Sequence, residues 1–180
     1  MEHMIHRALI DEILDTYRTQ IGADFLGLRN HCQRVFDFCI QLAKDPSHDD
    51  LECFAIACAF HDLGIWVDKT FDYIEPSVSL AVRHLQEQGR ANWIPDVIDM
   101  IRDHHKISQV STQQKRRAEI FRKADWIDVT FGIRHFGLPA SKIREVRAGL
   151  VNAGFHRSLL RLTWTRFKKH PLSPLPMLRA

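Results

Sequence analysis

The spacing of apolar residues predicts helices along almost the whole chain. Between residues 3 and 20, apolar side chains recur at the three- and four-residue intervals of one helix face. These residues are Met4, Ile5, Leu9, Ile13, Leu14 and Tyr17. A second run, which Asp24 is placed to cap, continues this rhythm to about Lys44. We find no convincing alternation of apolar and polar residues of the kind that a half-buried strand needs.

A third predicted helix, about residues 50–63, is apolar on nearly every side, which is typical of a helix at the centre of a bundle. The polar segment 45–50 predicts a loop with N-cap candidates before it, and Gly64 is placed to end it. Residues 65–75 show no clear period, so we expect irregular structure or short turns there.

Prolines, glycines and capping residues delimit the later helices. Their predicted spans are about 76–88, 95–106, 111 or 113–131, 141–151 and 156–169. The last eleven residues contain three prolines and predict an extended tail. Helices joined by short loops predict an all-α fold, a single-domain helical bundle of about six to eight helices over residues 1–180. Its core is expected at about 25–130, and the C-terminal helices and proline-containing tail at 131–180.

Composition narrows the class of protein further. A chain of 180 residues with 45% hydrophobic and 26% charged residues suits one soluble domain with a single core. No apolar run approaches the roughly 20 residues that span a bilayer, and the N-terminus lacks the features of a signal peptide. We therefore expect a cytoplasmic protein that is not bound to a membrane. The four cysteines form no C-x-x-C pair, which favours buried thiols over zinc ligands or disulfides.

Positive charge is concentrated towards the C-terminus. Residues 111–180 carry fifteen Lys/Arg and four Asp/Glu, whereas residues 1–110 carry ten and eighteen. Such a region can face nucleic acid, an anionic substrate, an acidic partner or only solvent. Neither a helix-turn-helix nor interleaved aromatic and basic residues support sequence-specific nucleic-acid binding. We therefore expect a small anionic substrate rather than nucleic acid, and leave the oligomeric state open.

Several histidines and acids fall on predicted helices beside apolar residues, where an unpaired charge is costly. They are His31, His61, Asp62, His104, His105 and Asp125. Imidazole nitrogens and carboxylate oxygens can hold a divalent metal, and the helices of a bundle can direct them to one point. For any one of these residues alone, a hydrogen bond, a turn cap or an ion pair is the alternative interpretation.

The ordered set His31, His61-Asp62 and Asp125 resembles the HD superfamily of metal-dependent phosphohydrolases. The matching segments are HCQRV (31–35), AFHDLG (59–64) and KADWIDV (123–129). The resemblance extends over about residues 25–130. It implies that these four residues bind a divalent metal and that Asp62 is also catalytic, steering the attacking water. Mn, Fe, Ni, Co, Mg and Zn stay open, because His/Asp sets accept several metals.

The segment IRDHHK (101–106) resembles the paired-histidine segment of two-metal members of the superfamily, such as cyclic-dinucleotide phosphodiesterases. Those members carry His-Pro upstream, where this chain has Glu-Pro. A second metal site of Glu75, His104 and His105 is one interpretation, which makes the centre dinuclear with Asp62 as a bridge. In the others, one histidine binds substrate phosphate, or both face the carbonyls of a helix end.

The residues after the HD pair leave the substrate open. Nucleotidase-like and alarmone-hydrolase members carry an acid a few residues later, where this chain has Ile65 and Trp66, and the GYP motif of the cyclic-dinucleotide enzymes is absent. The resemblance thus implies an enzyme, a metal-dependent phosphohydrolase acting on a small phosphate ester such as a nucleotide. A di-iron HD-type oxygenase for a small organic substrate and a non-catalytic metal- or ligand-binding module are the alternatives.

Four further residues are candidates for substrate binding. Arg34 lies one turn after His31, Lys106 and Lys123 neighbour proposed site residues, and Trp66 is close behind the HD pair. The alternative is a solvated surface for the three cations and a core position for the tryptophan.

Overall fold

Ten α-helices make up the computed structural model of the chain, which describes residues 2–110 and 115–169. They are α1 Glu2–Thr16, α2 Arg18–Ile21, α3 Phe25–Ala43, α4 His48–Phe60, α5 Gly64–Val67, α6 Ile74–Glu87, α7 Ile94–Asp103, α8 Arg116–Val129, α9 Ala140–Gly149 and α10 Phe155–Lys169. Short 3-10 turns cover Gly22–Asp24 and Ala91–Trp93. Eight of the helices have ten residues or more, and these described ranges contain no strand. The prediction of an all-α bundle is confirmed.

Helix α4 lies at the centre of the bundle, as its apolar character predicts. It contacts α1, α3, α6, α7 and α8. Its start is fixed by a capping box, in which the Ser47 hydroxyl accepts from Asp50 N and the Asp50 carboxylate accepts from Ser47 N. The helix therefore begins at His48, slightly earlier than the sequence predicts.

Gly64 begins the short helix α5, so the expectation that it ends α4 is wrong. The reason for a glycine here is close packing. A Cβ at this position would lie 2.7 Å from Tyr73 O and 2.9 Å from the backbone nitrogen of Ser77. Gly64 N also donates to Ser77 Oγ at 3.0 Å. The turn that carries the HD pair is thereby held directly against the start of α6.

Asp24 occupies the N-cap position of α3 but makes no side-chain capping bond there. Its carboxylate instead accepts from Ser158, Trp66 and Arg161, which lie on α10, α5 and α10. This acid thus links the start of α3 and the short helix α5 to the C-terminal helix α10. The predicted start of the helix near residue 111 and the predicted extended tail lie outside the described residues.

Much of the C-terminal positive charge pairs with acids from earlier in the chain. Lys115 contacts Asp99, Arg117 contacts both Asp50 and Asp96, and further pairs join α9 and α10 to α8 and the start of α3. The charge asymmetry of the sequence is therefore partly neutralised within the fold. The four cysteines are buried free thiols, as expected. Among the described helices, none is both long and apolar enough to cross a membrane.

Candidate metal centre

The centre is built where α3 packs against α8, the most extensive helix pair in the structure. Each helix presents two polar residues one turn apart, so that both point from the same side. On α3 these are His31 and Arg34, and on α8 they are Asp125 and Asp128. All four side chains are buried among apolar neighbours. Two matched pairs of buried polar groups therefore face each other across this helix interface.

The HD pair joins them from the end of α4. His61 Nε2 lies 3.0 Å from His31 Nε2, and Asp125 Oδ1 lies 3.4 Å from His31 Nε2. Asp62 Oδ2 is 3.4 Å from His61 Nε2 and 3.6 Å from His31 Nε2. The structure thus brings together all four residues that the sequence predicts as metal ligands, and His31, His61 and Asp125 form a group with metal-binding geometry.

The hydrogen bonds of the two histidines show what this pocket is suited to hold. His31 Nδ1 donates to Asp128 Oδ2 at 2.7 Å, and His61 Nδ1 donates to the Cys58 carbonyl at 2.9 Å. With the ring proton on Nδ1, each neutral imidazole has a lone pair on Nε2. Two lone pairs then face each other at 3.0 Å between carboxylates, an arrangement that repels unless a proton or a metal ion lies between them.

The carboxylates support the same conclusion. Asp62 Oδ1 and Asp125 Oδ2 are buried without a hydrogen-bond partner in the described structure. A buried unpaired carboxylate oxygen is costly, and burial is the main reason why the pKa of Asp125 rises to about 6. Burial also lowers the pKa of His61 to about 3, which keeps this imidazole neutral. The donor set therefore fits a divalent cation with nitrogen and oxygen ligands.

Asp128 holds His31 in position and was not predicted from the sequence. It accepts from Arg34 Nε at 2.6 Å and Arg34 Nη2 at 2.7 Å, and from Arg147 Nη1 at 2.9 Å. Although burial opposes its charge, the bonds from His31 and Arg34 hold the pKa of Asp128 well below its usual range. Such a carboxylate behind a metal-binding histidine fixes the orientation of the ring.

The placement of Arg34 corrects the expectation that it binds substrate phosphate. Its guanidinium is fully buried and also donates to the carbonyls of Leu150 and Val151. With all of these partners inside the protein, Arg34 supports Asp128 instead. The same C-terminal segment also contacts His31 directly, because the ring of Phe155 stacks on the His31 ring with centroids 4.0 Å apart.

A second group lies on the other side of Asp62. Asp62, His104 and His105 can bring ligand atoms within 4.8 Å of one another. His104 Nδ1 donates to the Ile101 carbonyl, and its Nε2 lies 3.7 Å from Asp62 Oδ1. His105 Nε2 is 2.5 Å from the hydroxyl of Tyr73, a buried residue that the sequence did not single out. Asp62 thus has one oxygen towards each group.

Glu75 is not brought to this second group. It lies in the first turn of α6 with 65% of its side chain exposed, and forms a two-pronged ion pair with Arg102 at 2.7 and 2.8 Å. The expectation that Glu75 replaces the upstream histidine of two-metal members therefore fails. The side chain that reaches the paired histidines from this part of the chain is Tyr73.

The remaining candidates lie around the centre rather than in it. Lys106 is 42% exposed and pairs with Asp103, and Lys123 pairs with Glu119. Trp66 is buried and donates from Nε1 to Asp24. None of these contacts reaches one of the four predicted ligands.

Comparison with known proteins agrees with this geometry. The family model described as HD domain matches residues 28–130, which is more than half of the chain. The chain belongs to the HD-domain family. All four predicted ligands, together with Asp128 and the paired histidines, lie within the matched HD-domain segment. Comparisons with curated proteins and with solved structures gave no match.

The HD-domain segment contains a signal for one of the unpredicted residues. Asp128 lies between the apolar residues Ile127 and Val129 and three residues after Asp125. The same spacing relates His31 to Arg34. Tyr73 has no comparable signal, because it precedes α6 in an irregular segment. Arg147 and Phe155 lie beyond the matched segment, so the HD-domain motifs say nothing about them.

Proposed function

We propose that this HD-domain protein is a metal-dependent phosphohydrolase that acts on a small phosphate ester, a class that includes nucleotides. One observation carries the proposal, namely the two facing Nε2 atoms of His31 and His61 between the carboxylates of Asp62 and Asp125. Both Nδ1 atoms already donate hydrogen bonds, so the Nε2 lone pairs are available, together with the carboxylate oxygens, as ligand atoms for a divalent cation.

His31, His61, Asp62 and Asp125 are the residues that would hold the ion. A divalent ion bound there supplies an activated water near neutral pH and stabilises charge on a phosphoryl group. Asp62 has a further role because its two oxygens face different groups. Oδ2 points to the histidine pair, whereas Oδ1 has no hydrogen-bond partner among the described residues and can accept a proton from the attacking water.

We assign the second group to the phosphate of the substrate. Tyr73 already occupies Nε2 of His105, which removes one of the ligand atoms that a second ion would need. His104 Nε2, close to Asp62 Oδ1, is placed to donate a hydrogen bond to a phosphate oxygen when it carries a proton. Lys106, directly after the paired histidines, adds a partly exposed positive charge at this side.

The test combines metal content with phosphate release. The purified chain and its His61→Ala and Asp62→Ala variants are analysed for bound metals by elemental analysis. Each protein is then assayed for phosphate release from a panel of phosphate esters. We expect about one divalent ion per chain in the native protein and loss of both metal and activity in the variants. His84→Ala, which removes a half-buried histidine from α6 outside the centre, serves as the matched control.

Other results would overturn the proposal in identifiable ways. Full metal content in folded His61→Ala and Asp62→Ala proteins would show that these residues do not hold the metal. Two irons with oxygen consumption would indicate an oxygenase, and a fully metallated protein without turnover on the panel would indicate a binding module. A His104→Ala variant separates the two roles of the second group. It should keep its metal and lose activity if His104 contacts phosphate.

A further inference from the structure

A cavity of about 420 Å³ lies between the segment after the HD pair and the C-terminal helix α10. One side is formed by residues 65–71 and the other by residues 161–166 of α10. We refer to it as the α5–α10 cavity. No residue of the metal centre or of the second histidine group belongs to its lining. It is large enough for a small organic molecule.

The charged lining of this cavity favours an anion. Lys69, Arg161 and Arg166 contribute positive charge. Asp24 is the one acid among the lining residues that the structure describes, and its carboxylate is already used by Ser158, Trp66 and Arg161. Lys69 makes neither a hydrogen bond nor an ion pair with the described part of the chain. The lining of the cavity thus has a net positive charge, and the charge of Lys69 is not paired with any acid in the described part of the chain.

The uncharged lining consists of four apolar or aromatic residues and of the polar residues Gln20, Thr70 and Thr165. Trp66 and Ile65 are buried beneath the cavity, and Phe71 and Leu162 contribute to its sides. The Trp66 indole is fixed by its bond to Asp24 at 3.1 Å, and the same carboxylate accepts from Arg161 at 2.7 Å. The Asp24 carboxylate therefore holds both the Trp66 ring and the Arg161 side chain in place at the wall of the cavity, which lowers the cost of ordering them around a ligand.

We propose that the α5–α10 cavity binds a small organic anion that carries an aromatic or aliphatic group. The cations hold the phosphate or carboxylate, and Trp66 and Phe71 contact the apolar part. The cavity is joined to the second histidine group through one intermediate ring. Phe71 lies 6.2 Å from Tyr73 between centroids, and the Tyr73 hydroxyl contacts His105. Binding in this cavity is separate from the proposed function and does not depend on a bound metal.

Binding of phenyl phosphate to metal-depleted, full-length protein tests the site by calorimetry. Metal depletion removes the competing centre. A Lys69→Gln/Arg166→Gln double variant should bind about tenfold more weakly, because it loses two charge contacts to the phosphate. Arg144→Gln, an exposed cation of α9 outside the cavity, is the matched control and should bind like the native chain. Phe71→Ala should weaken phenyl phosphate but leave inorganic phosphate unchanged, because only the first probe has a ring.

The metal-loaded protein checks that the cavity is separate from the metal centre. None of the ligands of the proposed centre lines the cavity, so the double variant should weaken binding to the metal-depleted protein and leave the KM for any hydrolysis of phenyl phosphate unchanged. A KM that rises in parallel with the loss of affinity would place Lys69 and Arg166 in the substrate site and overturn the separate cavity site.

Three further results would overturn the inference. They are the absence of phenyl phosphate binding to the metal-depleted native chain, equal affinity in the folded double variant, and an equal loss in Arg144→Gln. Thermal melting confirms that each variant is folded. Because these measurements need neither metal nor turnover, their failure leaves the proposed phosphohydrolase function standing, and the reverse also holds.

Discussion

The HD-domain segment and the C-terminal segment beyond it contribute to the candidate metal centre in different ways. Residues 28–130 supply every predicted ligand, whereas residues 147–155 contact His31 and the carboxylate behind it. Arg147 bonds Asp128, and the Phe155 ring stacks on His31. Gly27 allows this contact, because a Cβ there would lie 3.1 Å from the backbone of Ala153 and Phe155. The HD-domain segment contains the predicted ligands, and the C-terminal segment helps to hold one of them, His31, in position.

The difference is visible in the two histidines of the centre. His61 is oriented by a backbone carbonyl of its own helix, one turn back at Cys58. His31 is oriented by Asp128, a carboxylate whose own position depends on Arg34 and Arg147. A local support needs only helix α4 to form. The support of His31 instead needs three parts of the chain to pack together.

The largest expected effect comes from removing the carboxylate shared by both segments. Asp128→Ala should destabilise the protein by about 3–5 kcal/mol, because it leaves the buried Arg34 unpaired. It should also weaken metal binding by roughly 10–100-fold through His31. Urea unfolding and a chelator competition measure the two effects. Asp96→Ala, which breaks a more exposed pair with Arg117, should cost about 1 kcal/mol or less. Equal losses in both variants would refute the special role of Asp128.

A second prediction concerns Asp125, a predicted ligand within the HD-domain segment. Because burial raises its pKa to about 6, metal binding below that pH must displace a proton. The proton on Asp125 should therefore lower the metal affinity about tenfold for each pH unit below about 6. His61, with a pKa of about 3, stays neutral across this range. Competition with a fluorescent chelator at several pH values measures the slope, and Asp125→Asn should abolish it.

The same pKa has a consequence for the metal-free protein. Folded Asp125 keeps its proton up to about pH 6, whereas the unfolded chain releases it near the ordinary pKa of 3.8. Between these two pKa values, deprotonation of Asp125 stabilises the unfolded state but not the folded state. This residue therefore lowers the free energy of unfolding of the metal-free protein as pH rises from about 3.8 to about 6. A flat pH dependence in the native chain, relative to Asp125→Asn, would contradict the raised pKa.

A smaller effect should result from changing the C-terminal segment alone. Arg147→Gln removes one of the donors to Asp128 but leaves both bonds from Arg34. We expect metal affinity to fall by about three- to tenfold, less than for Asp128→Ala. Arg144→Gln lies on the same helix without such a bond and should have no effect. If the two arginine variants bind metal equally well, the C-terminal segment does not position His31 through Arg147.

The smallest effect is expected at Glu75, which lies in the HD-domain segment but outside the centre. Glu75→Gln breaks an exposed ion pair with Arg102, so stability should change by about 1 kcal/mol or less. Metal content and activity should match those of the native chain. Loss of bound metal in this variant would restore Glu75 as a ligand.

Features that depend on local spacing could be predicted from the sequence. The period of the apolar residues located the main helices, and the order of His31, His61-Asp62 and Asp125 picked out four buried residues that the fold brings together. Each of these predicted ligands lies on a buried face near apolar neighbours, where few other uses of a polar group are stable. Their convergence is then a result of helix packing.

Features that depend on which partner a long side chain finds could not be predicted. Arg34 has the right position for a phosphate ligand, but its flexible guanidinium reaches Asp128 on another helix instead. Glu75 precedes Pro76 where the two-metal members carry His-Pro, yet its side chain is mostly exposed and pairs with Arg102. Tyr73 and Phe155 approach the histidines from segments whose placement is set only by the complete fold.

The depth of the centre also governs how an ion is exchanged once the chain has folded. His31, His61 and Asp125 are almost completely covered, and Asp62 is the most accessible of the four with 5% exposed. Removal by a chelator then requires local opening of the bundle, which is slow compared with diffusion. A preparation should therefore retain the ion present while it folded. Time courses of metal loss to a chelator, with and without mild urea, would measure the rate of this exchange.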